Sequence, residues 1–83
     1  EAELKAKLSA NAADHEARLA LAGLYAGMKR YREALDELLE IVRRDKHWKD
    51  GEARRQILAI FNLAAEEPGL VSEYRRKLGS ALY

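Results

Sequence analysis

The chain has 83 residues, 48% of them hydrophobic, which is enough for one small domain that buries about 60 % of the surface its unfolded form exposes. Lys and Arg number 15 against 14 Asp and Glu, so the formal charge of +1 gives no general grip on nucleic acid or on a membrane surface. With no cysteine there is no disulfide, thiolate nucleophile or Cys-based zinc site, and no apolar run approaches the ~20 residues that span a bilayer, so a cytoplasmic location is expected.

β-branched residues are sparse and no segment alternates with period two, which predicts an all-α chain of about five helices. The first helix is expected from about Ala2 to Ser9, with Leu4 and Leu8 as its apolar pair, and Asn11 to Asp14 as the connection that follows. Asp14 is placed to cap a second helix beginning near His15. Leu21, Leu24, Tyr25 and Met28 fall at i, i+3, i+4 and i+7 and predict its apolar stripe. The segment Gly27-Met28-Lys29-Arg30 is long enough for a reversal and too short for a crossover, so the third helix, opened by Tyr31, is predicted to pack antiparallel to the second. Its stripe is Tyr31, Ala34, Leu35, Leu38 and Val42, and its acids Glu33, Asp36, Glu37 and Glu40 precede Arg43 and Arg44, as the helix macrodipole favours.

Asp45 to Asp50 is a polar connection holding the only tryptophan, Trp48, which is expected to pack over the ends of two helices. Asp50 is expected to cap a fourth helix from Gly51 to about Ala65, with Ala53, Ile57, Ile60, Phe61 and Ala64 inward. Pro68 suits a first turn, and a fifth helix is predicted from about Leu70 to Leu82 with Val71, Tyr74, Leu78, Ala81 and Leu82 on one side. Gly79 weakens its last turn by about 1 kcal/mol relative to alanine.

Leu21, Ala22, Tyr25, Tyr31, Glu33, Ala34, Leu38 and Ile41 resemble the tetratricopeptide repeat pattern, in which small residues sit where paired helices cross closely. Two positions depart from it: Arg18 stands where an aromatic is usual, and Lys46 where proline closes the repeat. The expected architecture is a short tetratricopeptide-like antiparallel helix-hairpin array forming one domain. It comprises a partial repeat over residues 1–13, the best repeat over 14–46 and a degenerate one over 47–83. Opening on Glu1 with a first helix that has no partner before it in sequence, the chain reads as a fragment of a longer protein.

Beyond the best repeat, Arg44-Asp45, Trp48, Asp50-Gly51-Glu52-Ala53-Arg54, Phe61 and Glu73-Tyr74-Arg75-Arg76 with Leu78 resemble the C-terminal region of the thioredoxin-like co-chaperones known as YbbN or CnoX, the chaperedoxins. The resemblance covers nearly the whole chain. It implies an upstream thioredoxin-like domain in the same chain, and a holdase that keeps unfolding client proteins and passes them to the chaperonin. The alternative is a generic tetratricopeptide adaptor or a dimerisation module in another assembly, and a homodimer stays open because a truncated solenoid has uncapped apolar ends.

The inner helix of a tetratricopeptide pair normally lines the peptide groove, so the candidate protein-binding positions are Leu19, Ala20, Gly23, Ala26 and Gly27. All are small or apolar. Known peptide clamps of this fold hold a C-terminal carboxylate with Lys and Asn there, which this helix lacks, so an apolar helix crossing at Gly23 is expected instead. A second candidate surface is the fifth helix, through Tyr74, Arg75, Arg76, Leu78, Leu82 and Tyr83. No catalytic role is assigned: His15 and His47 lie far apart without ligand companions, and the acids of the third helix and Glu66-Glu67 read as solvated helix faces. No cofactor or metal is expected.

Overall fold

Short polar side chains set the first reversal. The Asn11 carboxamide oxygen accepts from the Ala13 amide at 3.0 Å, turning the chain, and the Asp14 carboxylate accepts from the Ala17 amide at 3.0 Å, capping the helix that follows. A computed structural model describes residues 1–83 as five helices and no strand. They are α1 (Ala2–Ala10), α2 (His15–Gly27), α3 (Tyr31–Arg44), α4 (Glu52–Leu63) and α5 (Pro68–Leu82), with a 3-10 turn at Trp48–Asp50. None is long and apolar enough to cross a membrane.

The α2–α3 reversal closes by paired backbone bonds: the Arg30 amide donates to the Tyr25 carbonyl at 2.8 Å and the Lys29 amide to the Ala26 carbonyl at 3.0 Å. This double closure places its left-handed residue at Lys29, with φ of 61°, and not at Gly27. A lysine Cβ is crowded in that conformation. Lys29→Gly is therefore expected to raise stability by about 0.5–1 kcal/mol in urea unfolding, and a destabilised variant would contradict the turn geometry.

α3 is the centre of the molecule. Ala34, Leu35, Leu38, Leu39, Ile41 and Val42 are all buried, which covers more than one side of the helix, and α2, α4 and α5 each pack against it. α1 lies on α2 through the half-buried Leu4 and Leu8. Contacts between α3 and α5 advance in the same direction along both helices, from Arg32 with Glu73, through Asp36 with Tyr74, to Lys46, just past the end of α3, with Leu82. The two helices therefore run parallel. The Cα extents of 34 × 29 × 17 Å are those of a slab about two helices thick.

Three local expectations are corrected. The buried stripe of α2 is Ala17, Leu21, Ala22 and Tyr25, while Leu24 and Met28 remain 44% and 50% exposed. The small residues Ala17 and Ala22 are buried where Leu24 and Met28 are not, so the helix is rotated away from the side those two larger residues marked. Asp50 does not cap α4: its own φ is 54°, its side chain makes no cap bond, and the helix starts at Glu52 after Gly51 at φ of 79°. Arg55 closes this corner instead, donating to the Asp50 carbonyl at 2.6 Å and the Lys49 carbonyl at 3.2 Å. α5 begins two residues earlier than predicted, with Pro68 in its first turn and Leu70 added to the core. The predicted inward set of α4, Ala53, Ile57, Ile60, Phe61 and Ala64, is buried as expected.

Candidate protein-binding surface

On α2 the positions Ala20, Gly23, Leu24 and Gly27, followed by Met28, share one helix face, and all are exposed. A Cβ built on Gly23 or Gly27 meets no atom within 4 Å, so neither glycine is needed for a close approach inside the chain. Each costs its helix about 1 kcal/mol relative to alanine. Leu19 and Ala26 lie differently, half-buried against the core beside Tyr25. The candidate positions thus divide into an open, small-residue face and two half-buried residues along one edge of it.

α5 divides in the same way. Tyr74 and Leu78 are buried, so of the candidate positions here Arg75, Arg76 and Tyr83 are open to solvent, with Tyr83 fully exposed, and Leu82 is half-buried. The Tyr74 ring fills the α3–α5 junction, and its hydroxyl donates to the Asp36 carboxylate at 2.5 Å. Burial, reinforced by that carboxylate, pushes the Tyr74 hydroxyl up to about 12. Next to it Arg32 donates to Glu73 at 2.9 Å and Lys77 approaches Glu73 at 3.0 Å. The Arg32 guanidinium first, and Lys77 second, hold the Glu73 carboxyl down to about 2. Arg32 and Lys77 also lie over the Tyr74 ring, 5.4 and 4.5 Å from its centroid.

The predicted basic group of α5 is split by the helix. Arg75 turns to the Phe61 ring of α4, 5.2 Å from its centroid, while Arg76 and Lys77 line an open cleft of about 500 Å³ with Arg43 of α3, Glu73, Ser80 and Ala81. Residues 33 positions apart in sequence, Arg43 and Arg76, therefore face one space. Helical spacing alone gave no signal of that pairing.

A family model described as tetratricopeptide repeat matches residues 1–83, the whole chain. The chain belongs to the tetratricopeptide repeat family. No curated protein and no solved structure matches it. Repeats of this family generally act as non-catalytic modules for protein–protein interaction, and its antiparallel α2–α3 hairpin is the unit from which such arrays are built.

Both departures from the repeat pattern are filled by polar contacts in this tetratricopeptide chain. Arg18, in the aromatic position, reaches across to Glu37 of α3 at 2.8 Å and to the Ala12 carbonyl at 3.1 Å, so it ties α2 to its partner and to the preceding connection. Lys46, in the closing proline position, donates from Nζ to the Leu82 carbonyl at 3.1 Å, where the last carbonyls of α5 lack helical partners. Trp48 packs against the core with its ring edge-on to His15 at 5.3 Å, joining the start of α2 to the α3–α4 connection. No group of three or more His, Asp or Glu side chains is placed to hold a metal ion.

Proposed function

We propose that this tetratricopeptide chain is the helical, protein-holding part of a thioredoxin-like co-chaperone. Its open α2 face takes apolar segments of unfolding clients, and the outer side of α5, with Arg75, Arg76, Leu82 and Tyr83, meets the chaperonin. The observation that carries this reading is the run Ala20, Gly23, Leu24, Gly27 and Met28: small residues that let another backbone approach, flanked by apolar side chains left in water. The mechanism is reversible burial of apolar surface, worth about 25 cal/mol per Å² removed from water. No reacting group takes part.

Gly23→Leu separates folding from holding. Because a side chain at Gly23 points into open space, the variant is expected to fold as before and to gain up to about 1 kcal/mol from helix propensity. The same side chain fills the approach path of a client helix, so protection of a heat-unfolding model enzyme, followed by light scattering, is expected to be lost. Full protection by a stable Gly23→Leu variant would sink the proposal.

A further inference from the structure

None of the chain's nine ion pairs uses Arg43 or Arg76, and neither side chain forms an internal hydrogen bond. Both are exposed, one on α3 and one on α5, at the cleft whose remaining charges are already matched: Lys77 is engaged by Glu73, and Glu73 also by Arg32. We propose that the cleft between α3 and α5 binds an acidic polypeptide segment, with the Arg43 and Arg76 guanidiniums each taking a carboxylate and the Ser80 hydroxyl donating a further hydrogen bond. This rests on the reading of the chain as a protein-binding module and names the chemistry of one partner.

Charge complementarity selects this occupant. Two free guanidiniums on separate helices line one open cleft and offer planar, forked donors suited to the successive carboxylates of an acidic chain. Guanidinium forks suit carboxylate and phosphate alike, so competition by inorganic phosphate is made one of the outcomes of the test. Among the lining residues no aromatic ring is available to stack a base, which argues against single-stranded nucleic acid. The site is also distinct from the inner helix on which peptide clamps of this fold are built, because it is made by the two helices that follow α2 and α4.

The test is fluorescence anisotropy of a labelled ten-residue glutamate peptide, blocked at both ends, titrated with the full chain at low salt. Saturable binding is expected, weakened at least about tenfold by Arg43→Glu and by Arg76→Glu, and about threefold by the milder Arg43→Gln and Arg76→Gln. Arg54→Glu, exposed on α4 outside the cleft, is expected to leave the affinity within about twofold. Three results would overturn the proposal: no saturation, equal loss with Arg54→Glu, or displacement of the peptide by inorganic phosphate or oligothymidine at matched charge concentration. Client protection by the same arginine variants reports on the α2 face alone. Weakened peptide binding with protection intact in these variants is the expected pattern; a wild-type chain that protects clients but never saturates with peptide fails the cleft alone, and one that binds peptide without protecting clients fails the α2 face alone.

Discussion

Tyr74→Ala is expected to lower the unfolding free energy by about 3–5 kcal/mol, a large part of the stability of a domain this size. The ring is 1% exposed and is the largest of the fully buried side chains, so its removal leaves a cavity at the α3–α5 junction. It also strands the partners built around it: Asp36 loses a donor, and Arg32 and Lys77 lose the ring beneath them. Tyr74→Phe keeps the ring and removes the hydroxyl alone, so about 1–2 kcal/mol is expected from that change. Alkaline titration isolates the same group. Its hydroxyl is raised from 10.0 to about 12 in the folded chain, so the folded state keeps a proton that the unfolded state releases. The corresponding stability is complete below pH 10 and is lost as pH rises through about 12. Urea unfolding followed by circular dichroism should show this extra alkaline loss in the wild type and not in Tyr74→Phe. An alanine variant within about 1 kcal/mol of wild type, or a phenylalanine variant with the same alkaline slope, would show that the junction is not held in this way.

How much of this was legible depended on whether the signal was local. The boundaries of α2 and α3 were written in Asp14, in the short Gly27–Arg30 reversal and in the dense apolar pattern around Leu35 and Leu38, all of which act within a few residues. The rotation of α2 was not, because hydrophobic spacing weights Leu24 and Met28 above Ala17 and Ala22, whereas a close helix crossing selects for small size. The parallel seating of α5 on α3 depends on Arg32 with Glu73 and Asp36 with Tyr74, partners 41 and 38 residues apart. No periodicity encodes such a pairing. For the same reason Arg76 could be read only as part of a basic run, and its alignment with Arg43 emerged from the packing. Among the candidate binding residues, spacing placed Ala20, Gly23 and Gly27 on one face but could not tell that Leu19 and Ala26 lean on the core, or that Tyr74 and Leu78 are committed to it.

Ala34→Leu is the complementary test of the hairpin. Ala34 is fully buried on α3, the helix that α2 crosses, so a larger side chain there has no solvent to extend into. Added methylenes in a packed interior force side chains off their rotamers or push the backbone, at a cost of roughly 1–3 kcal/mol. Because α3 also supports α4 and α5, that displacement is transmitted to the whole slab, and the upper part of the range is expected. Urea unfolding measures the loss, and amide exchange should show weakened protection in α2 before α5. The comparison with Gly23→Leu sharpens the point, since the same side chain is introduced on the partner helix. There it enters open space and should stabilise; at Ala34 it enters a filled crossing and should not. Equal effects at the two positions would mean that the small residues of this hairpin are not sorted into a close-packed inner side and an open outer one, and both the repeat geometry and the binding face derived from it would fall together.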